Sequence, residues 1–338
     1  MIKRTKMTLA AVAAALLFAP ASWAALSTYQ QNFEALIQAS PTALSADGFL
    51  VSGVVYDGNV GALPPYGNFK FFYGNFPAPN GGTSFSSIAV GEGGAPQGLN
   101  VLNIYSDYNC CVSTAEGHFD TTVPNDYVQS NVFREQTIGL ADIGKTWSFR
   151  FDAKANAASG CATDAVSDCV AFIRTLDPTN GFAQTNFVTF DAQANLTAVW
   201  STHSISIDLT DPLLNGQVLQ FGFQSTSKLF GNTGVFYDNI AFGVDTDLDG
   251  VPNVVDNCRL VANNTGAGAQ CDSDGDGFGN RCDGDFNNNG STNAQDTTLF
   301  RQQLGQPSIP PTYNSRDLNC NGSVNAQDTT LFRQLLGL

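Results

Sequence analysis

Apolar and polar residues alternate with a period of two in short runs over the first two thirds of the chain. One polar face per run is typical of antiparallel strands. Two further runs are apolar on both faces, as interior strands are. Together with frequent Gly, Pro and Asn breaks, these runs predict an antiparallel β-sandwich over residues 25–243. The alternating runs are 147–152, 204–209 and 219–223, and the apolar runs are 170–176 and 235–242.

A long stretch rich in Gly and Pro interrupts this pattern between Asn59 and Gly98. Loops of that length in a compact domain are usually functional. Sugar-binding surfaces combine planar aromatic rings, which stack on sugar faces, with amide and carboxylate groups beside them. Several aromatic residues meet this requirement if they lie on the surface, although aromatic rings in a sandwich more often fill the core. The candidate ligand-binding residues are Tyr66, Tyr73, Tyr105, Tyr108 and Trp200.

The character of the chain changes at Asp245. Glutamate and lysine are absent from there to the C-terminus, and aspartate recurs at every second position in two clusters. The ten residues from Asn293 to Gln302 recur without change from Asn325 to Gln334. An identical block of this length indicates an internal duplication.

Four stretches of this region fit the template of a calcium loop. The template needs oxygen ligands at positions 1, 3, 5, 9 and 12, and a glycine at position 6 where the chain turns sharply. A solvated acidic linker would not repeat glycine at the sixth position each time. We therefore predict Ca2+ as the cofactor. The predicted ligands are Asp245, Asp247, Asp249, Asn253 and Asp256; Asp272, Asp274, Asp276, Asn280 and Asp283; Asp285, Asn287, Asn289, Asn293 and Asp296; and Asp317, Asn319, Asn321, Asn325 and Asp328.

The N-terminus predicts export. Lys3, Arg4 and Lys6 precede a short apolar run, and Ser22-Trp23-Ala24 fits a signal-peptidase site, so residues 1–24 read as a signal peptide and the protein as secreted. The remaining chain has 30 acidic residues against 12 Lys and Arg, a net charge of −18. This charge argues against nucleic acid as a partner. No later segment is apolar enough for membrane insertion.

All eight cysteines follow the predicted cleavage site, and an even number in an exported protein favours disulfides. Cys161 and Cys169 flank a small polar loop between two strand-like runs, so we expect them to pair. Closing so short a loop adds about 2.5 kcal/mol in the chain-entropy model. Cys110 and Cys111 are adjacent, and the sequence leaves open a vicinal bridge, other partners or free thiols.

The first two calcium loops, within residues 244–284, resemble thrombospondin type 3 repeats, which are organised by calcium and disulfides. This resemblance implies a bond between Cys258 and Cys282 and leaves Cys271 in need of a partner. Residues 285–338 resemble the two halves of a dockerin, each an EF-hand-like calcium loop followed by one helix. The implied helices span 296–304 and 328–336. Cys320 stands at loop position 4, which does not ligate, and is therefore free to reach Cys271.

The dockerin resemblance implies a cohesin-like protein as the partner of residues 285–338. Positions 10 and 11 carry partner recognition in that family and are often Ser-Thr. Here they are Ala294-Gln295 and Ala326-Gln327, a departure from the family pattern at the recognition positions. Thr292 also replaces the usual aliphatic residue at position 8.

Two motifs of the N-terminal region resemble jelly-roll carbohydrate-binding modules, namely Asn32-Phe33-Glu34 and the strand Phe236 to Ile240. The resemblance implies a polysaccharide as ligand and a structural calcium held by Glu34 and Asp238. Exposed carboxylates at a strand end are the alternative explanation.

We therefore expect a non-catalytic glycan-binding or adhesion sandwich that carries a dockerin-like assembly module. The alternative is a secreted polysaccharide hydrolase or lyase, for which Glu116 and His118 are the nearest acid–base candidates. The sequence contains neither a nucleophile elbow, nor a zinc-protease helix, nor a phosphate loop. A cell-surface adhesion protein with a calcium-stiffened stalk is the third hypothesis.

Overall fold

The computed structural model describes residues 25–40, 42–56, 69–75, 87–106, 127–156, 168–228, 233–264, 269–309 and 314–336. The strands in these stretches are β1 (Tyr29–Gln31), β2 (Leu50–Tyr56), β3 (Phe69–Asn75), β4 (Ser87–Val90), β5 (Asn100–Ser106), β6 (Tyr127–Thr137), β7 (Thr146–Ala155), β8 (Asp168–Asp177), β9 (Ala183–Asp191), β10 (Ser201–Asp208), β11 (Val218–Lys228) and β12 (Thr233–Val244). The α-helices are α1 (Ala43–Ala46), α2 (Ala192–Asn195), α3 (Ala294–Gln303) and α4 (Ala326–Leu335).

The strands form two antiparallel sheets. Sheet A has the order β10-β7-β12-β5-β4, and β1 pairs with the C-terminal part of β12 beyond a bulge. Sheet B has the order β3-β2-β6-β11-β8-β9. Every pairing in both sheets is antiparallel. The predicted antiparallel β-sandwich is thus confirmed.

Aromatic rings from the two sheets stack on one another in the core. The ring centroids of Phe221 and Phe242 are 4.0 Å apart, and those of Phe223 and Tyr237 are 3.7 Å apart. These four side chains are buried, as is Trp147 on β7. Because side chains alternate between the faces of a strand, the same strands carry polar residues on their outer faces.

The C-terminal segment has a small apolar core of its own. It consists of Phe286, Phe300, Leu318, Val324, Phe332 and Leu335. The rings of Phe300 and Phe332, which are equivalent positions of the duplicated block, stack with centroids 4.9 Å apart. The two copies therefore pack against each other through the same residue.

Helices α3 and α4 begin two residues earlier than the sequence predicted, at Ala294 and Ala326, and each ends one residue earlier. The reason is a capping box. The Asn293 side chain accepts a hydrogen bond from the Gln295 N–H, and the Asp296 carboxylate accepts one from the Asn293 N–H. These bonds satisfy N–H groups that a helix end otherwise leaves unpaired. The same residues repeat the arrangement at α4.

Two disulfides hold the C-terminal region together. Cys258 is bonded to Cys282 and Cys271 to Cys320, as predicted. Cys169 on β8 is also disulfide-bonded. Cys161 lies outside the described residues, so its pairing with Cys169 stays a prediction, and Cys110 and Cys111, for which no pairing was predicted, also lie outside them.

Candidate calcium sites and ligand-binding face

The first calcium loop is built onto sheet A. The Asp245 N–H donates to the Thr146 carbonyl, and the Asn253 N–H donates to the Val244 carbonyl at the end of β12. One oxygen of the Asp245 carboxylate accepts a hydrogen bond from the Ser148 hydroxyl at 2.7 Å, and Asp245 is only 2% exposed. Strand β7 thus fixes the first ligand of this loop.

Carboxylates of the first loop converge without a counter-charge. Ligand oxygens of Asp245, Asp247 and Asp249 lie within 4.8 Å of one another. Asp247 Oδ2 and Asp256 Oδ2 are buried and have no hydrogen-bond partner among the described residues. Burial, together with the neighbouring Asp249 and Asp256, raises the pKa of Asp247 to about 6. Unpaired buried carboxylate oxygens are what a bound cation satisfies, so these residues fit Ca2+.

The second loop repeats this arrangement. Ligand oxygens of Asp272, Asp274 and Asp276 also lie within 4.8 Å of one another. Burial, with the charges of Asp276 and Asp274, raises the pKa of Asp283 to about 6. The second loop therefore concentrates negative charge as the first does.

All four loops have the same left-handed backbone conformation at position 6. The glycines there have φ values of 88°, 95°, 88° and 103°, a left-handed region that favours glycine. In every loop the position-1 aspartate accepts a hydrogen bond from this glycine's N–H, at 2.5–3.0 Å. This hydrogen bond closes the turn and fixes the carboxylate at the loop centre. The glycines are Gly250, Gly277, Gly290 and Gly322.

The two C-terminal loops place their last ligand in the core. Asp296 and Asp328 are fully buried, and Asp296 Oδ1 has no hydrogen-bond partner among the described residues. Burial raises the pKa of Asp328, and the Asp317 charge adds to the shift. These carboxylates fit a cation by the same criterion as those of the first loop.

The asparagines at position 9 have structural hydrogen bonds. Asn253 accepts from the Thr246 N–H and donates to its hydroxyl, and Asn280 does the same with Ser273. Their counterparts in the other two loops are the N-caps of α3 and α4. Their role as calcium ligands stays a prediction.

A separate acidic cluster lies on the outer face of sheet A. Asp238 is fully buried, its Oδ2 has no hydrogen-bond partner among the described residues, and burial, with the charges of Asp152 and Glu34, raises its pKa to about 8. Asp152 lies directly opposite Asp238 on β7. Glu34 Oε1 accepts from the backbone N–H groups of Leu99 and Asn100, at 2.8 and 2.7 Å. The charges of Asp152 and Glu34 both act on Asp238, so Asp152 joins the predicted pair in one acidic region, and a calcium shared by Glu34 and Asp238 stays a prediction.

Sequence analysis did not identify Asp152 as a site residue. It appeared only as a polar position in the alternation of β7, and its proximity to Asp238 depends on the pairing of β7 with β12. Its carboxylate accepts hydrogen bonds from the side chains of Gln97, Thr202 and Asn239, at 2.6–2.9 Å. These bonds anchor the loop before β5 to the cluster.

A row of amides crosses the outer face of sheet B, and the sequence analysis missed it as well. Asn131 on β6 lies directly opposite Gln224 on β11, and Gln129 and Gln220 flank this pair. All four amides are at most 6% exposed. Asn131 Oδ1 has no hydrogen-bond partner among the described residues. Only the strand register shows that these amides share a face, because they come from two separate runs.

Aromatic rings and an arginine border the amide row. The Arg174 guanidinium lies 4.9 Å from the ring centroid of Phe172, and its Nε donates to Gln220 Oε1 at 2.6 Å. Phe133 and Phe172 flank Gly222 across β11. A Cβ atom at Gly222 would lie 2.3 Å from a backbone oxygen of β6, so only glycine allows this close approach of the two strands.

Three of the five aromatic candidates from the sequence lie on described segments, which belong to different sheets. Tyr105 is half-buried on β5 of sheet A. Trp200 lies before β10, where its indole N–H donates to the Glu92 carbonyl and Lys154 Nζ lies 5.3 Å from its ring centroid. Tyr73 belongs to β3 at the edge of sheet B. Tyr66 and Tyr108, with Glu116 and His118, lie outside the described residues.

Family comparisons identify two segments. Residues 244–265 match the thrombospondin type 3 repeat. Residues 283–337 match the dockerin type I domain. The chain is therefore modular, with a β-sandwich ahead of two kinds of calcium-loop segment. Because disulfides persist in oxidising compartments, the Cys258–Cys282 and Cys271–Cys320 bonds point to an extracellular location.

Comparison with solved structures gives matches of low similarity. One is the enzymatically active domain of tailspike protein 4 of bacteriophage CBA120, with 13% identity, a TM-score of 0.25, and coverage of 43% of this chain and 18% of that one. A carbohydrate-binding module of the β-sandwich superfamily has 14% identity, a TM-score of 0.30, and coverage of 63% and 60%. A Stig cyclase from Fischerella sp. TAU has 12% identity, a TM-score of 0.34, and coverage of 64% and 97%.

The chain thus spans less than two thirds of the length of the first two of these structures. No curated protein matches the chain. Within the described part of the chain, no helix has the length and hydropathy that crossing a membrane requires.

Proposed function

We propose that the protein is an extracellular, non-catalytic glycan-binding module, joined through calcium loops to a dockerin-like module that binds a cohesin-like partner. The observation that carries the first part is the buried amide row on sheet B. Amides that donate and accept at once match the hydroxyl groups of a sugar, which do the same. Polar groups this deeply buried are normally paired, so the unpartnered Asn131 Oδ1 supports a ligand at this row.

The rings beside the amide row supply the second requirement of a sugar site. Phe187 on β9 lies opposite Arg174, is 40% exposed and packs on the buried Phe172 with ring centroids 6.1 Å apart, so it offers apolar surface for a sugar face. The Arg174 guanidinium adds donors at the same end. Among the described residues, the carboxylate with a hydrogen bond to this row is Glu135, which accepts from Gln220 Nε2 at 2.9 Å. A neutral polysaccharide is therefore the ligand class that we propose.

Affinity electrophoresis on neutral polysaccharides tests this proposal. Alanine at both Asn131 and Gln224 removes the opposed amides at the centre of the row. The loss of two hydrogen bonds, each about 1 kcal/mol net, should weaken retention by roughly tenfold or more. Gln184→Ala, an exposed amide on β9, is the matched control and should leave retention unchanged. Equal retention of both variants would place the ligand elsewhere.

The aromatic platform predicted from the sequence is tested in the same assay with alanine at both Tyr66 and Tyr73. Loss of retention would support a platform that continues from the amide row. Release of reducing sugar from any polysaccharide that is bound would instead favour the hydrolase hypothesis. Absence of binding to every glycan tested would favour the adhesion hypothesis.

The dockerin-like module supports a role in assembly, because dockerins bind cohesins. Ala294 and Gln295, and likewise Ala326 and Gln327, are exposed at the starts of α3 and α4. The full chain should bind a member of a cohesin panel in calcium and dissociate in chelator. Alanine at both Arg301 and Arg333, exposed on the same helices, tests whether these helices are the contact surface. Binding that persists in chelator would contradict this mode of assembly.

Calcium has a structural part in this proposal. The bound ion would neutralise the converging carboxylates. The position-1, -3, -5 and -12 side chains of the four loops would hold the ion, and Glu34 and Asp238 would hold one at the sandwich. The chain's own residues fix these side chains through the position-6 glycines, the helix N-caps and Ser148.

A further inference from the structure

The glutamine at position 11 of each C-terminal loop contacts the calcium-ligand candidates of its own loop. Gln327 Oε1 accepts hydrogen bonds from Asn319 Nδ2 at 3.1 Å and from Asn321 Nδ2 at 2.9 Å. In the other copy, Gln295 Oε1 accepts from Asn287 Nδ2 at 3.2 Å and Asn289 Nδ2 at 3.3 Å. The arrangement therefore occurs twice, at equivalent positions.

An asparagine ligand must be oriented correctly toward the ion, whereas either oxygen of an aspartate ligand can bind it. Only the Oδ1 of asparagine can bind a cation, and the Nδ2 group must point away from the ion. A single acceptor that takes both Nδ2 groups of one loop keeps both Oδ1 atoms toward the loop interior. Asn321 Oδ1, for example, accepts from the Ser323 N–H at 3.2 Å inside the loop.

The two upstream loops provide an internal comparison. Their positions 3 and 5 are aspartates, and their position 11 is Val255 in one loop and Cys282 in the other. Neither residue offers a side-chain acceptor like that of glutamine, and aspartates have no amide to orient. Glutamine at position 11 therefore accompanies asparagine at positions 3 and 5 within one chain.

We propose that Gln295 and Gln327 are positioning residues for calcium, which hold the amides of the position-3 and position-5 asparagines so that their oxygens face the ion. This inference deepens the proposed assembly function, since it assigns position 11 to the loop rather than to the partner. It does not require that a cohesin-like partner exists.

Calorimetric titration of the full chain with calcium tests the proposal. Methionine at both Gln295 and Gln327 keeps side-chain length and removes the acceptor. Removing an outer-shell partner of a metal ligand typically costs 10–100-fold in affinity, but these bonds are exposed, so a loss of roughly three- to tenfold is expected in the two C-terminal loops. The longer bonds of Gln295 predict the smaller loss there. The two upstream loops should titrate unchanged.

Methionine at both Gln302 and Gln334 is the matched control, because these glutamines are exposed at equivalent positions of the same helices. The same methionine substitutions in a second variant of the chain distinguish an effect on ligand orientation from an effect on helix stability. With aspartate at Asn287, Asn289, Asn319 and Asn321, no amide needs orienting, so the position-11 methionines should no longer weaken calcium binding. A loss that persists in this background, or that equals the loss of the control, would overturn the proposal.

A different observation carries a second inference, at a groove between sheet A and the first calcium loop. The groove has a volume of about 370 Å³, and Arg150, Gln31, Asn32, Ile240 and Val255 line it. Arg150 Nε is buried without a hydrogen-bond partner, and no described carboxylate forms an ion pair with Arg150. This is an unpaired cation in a strongly acidic chain.

Four amides line the groove, and two of them leave donors for a ligand, whereas Gln30 and Asn239 donate their NH2 groups to other partners. Gln31 Oε1 accepts from the Phe33 N–H, and Asn32 Oδ1 accepts from the Glu34 N–H, so the free groups are the two NH2 ends. A guanidinium with amide donors matches a carboxylate. Ile240 and Val255 provide apolar walls, and the volume suits a small ligand such as one or two sugar rings.

We infer that this groove binds the carboxylate of a uronic acid in an acidic glycan, as a site separate from the amide row on sheet B. Titration of the full chain with di- and trigalacturonate in calcium should show saturable binding, whereas the neutral galactose oligomers should not bind. Arg150→Met should abolish this binding. Arg150→Lys should weaken it at least tenfold, because a lysine ammonium cannot donate two parallel hydrogen bonds to a carboxylate as a guanidinium does.

The double alanine variant at Asn131 and Gln224 should bind galacturonate normally, which separates this site from the proposed neutral-glycan site. Binding that survives Arg150→Met, or equal binding of neutral and acidic oligomers, would overturn the inference. Absence of galacturonate binding by the wild-type chain would overturn it as well.

Discussion

Asp238 shows at the scale of one residue how the fold prepares a site for a cation. Its carboxylate is fully buried opposite Asp152, and one oxygen has no hydrogen-bond partner among the described residues. A buried carboxylate without a counter-charge is costly, so the site is stable only if the group is protonated or a cation is present.

Asp238→Asn should therefore destabilise the sandwich only when calcium is present. Calcium at a hundredfold its dissociation constant stabilises by about 2.7 kcal/mol. For a domain of this size that corresponds to a melting temperature lower by about 5–10 °C in the variant. In chelator the variant should melt at or above the wild-type temperature, because asparagine removes a buried charge.

Asp142→Asn is the control for this measurement, which scanning calorimetry can make. Asp142 is also buried and its Oδ1 likewise has no partner among the described residues, but its Oδ2 accepts the N–H groups of both Leu26 and Gly139. Its substitution should lower the melting temperature equally with and without calcium. Equal losses for Asp238→Asn under both conditions would mean an ordinary packing defect at that residue.

Residue spacing allowed the loop carboxylates to be predicted, because ligand positions within one loop are local in sequence. It did not predict the side-chain roles that depend on hydrogen-bond geometry. The asparagines at position 9 match a ligand template, yet Asn253 and Asn293 bond to backbone and side-chain groups of their own loops. Asp152 was missed because its neighbour Asp238 is more than eighty residues away in sequence.

At the scale of elements, the first calcium loop behaves as an extension of β12. Its first ligand accepts the Ser148 hydroxyl, and its Gly250 lies against Ser204 on β10, since a Cβ there would lie 2.5 Å from the Ser204 Oγ. The Val254 carbonyl also accepts from Gln30 Nε2 at 3.0 Å. The loop is therefore joined to three strands of sheet A.

Ser148→Ala should weaken calcium binding at this loop alone. Hydrogen bonds to charged groups contribute about 1.5–3 kcal/mol, so the affinity of the first loop should fall by roughly tenfold or more. Ser225→Ala is the matched control, because Ser225 is equally buried but lies on β11 of sheet B. Calorimetric titration distinguishes the loops, and an unchanged first site would refute the coupling of this loop to β7.

The period-two alternation predicted which segments form strands, but it did not predict the order of the strands in the two sheets. The alternation in β7, β10 and β11 is local, whereas their assignment to sheets depends on pairings between distant segments. The amide row on sheet B was therefore invisible in the sequence. The helix starts were misjudged for a local reason, since Asn293 and Asn325 were assigned to the ion rather than to the N-cap.

At the scale of the whole molecule, the second and fourth calcium loops are linked by a disulfide and by hydrogen bonds. The bond between Cys271 and Cys320 joins them covalently, and Asn280 Nδ2 donates to the carbonyls of Asn314 and Asp317. The second calcium loop and the dockerin-like segment therefore share hydrogen bonds and a disulfide as well as a peptide connection.

The dockerin-like segment should fold only with calcium. Its core has six buried apolar side chains, too few to offset the entropy of ordering about fifty residues. Each of its loops has only two carboxylates and ends in aspartate, which implies weak sites of roughly 0.1–1 mM, typical of extracellular modules. The two sites, each contributing up to about 2.7 kcal/mol at a hundredfold excess of calcium, together should decide whether the segment folds.

Circular dichroism and limited trypsin digestion of the full chain test this expectation. Calcium should increase the helical signal and protect Arg301 and Arg333, which lie on α3 and α4. Alanine at both Asp296 and Asp328 should remove the helical gain and the protection, while the two upstream loops still titrate by calorimetry. Alanine at both Thr298 and Thr330, exposed on the same helices, is the control and should retain both. A chain equally helical and equally protected in excess chelator, with its disulfides reduced, would show that packing alone orders this segment.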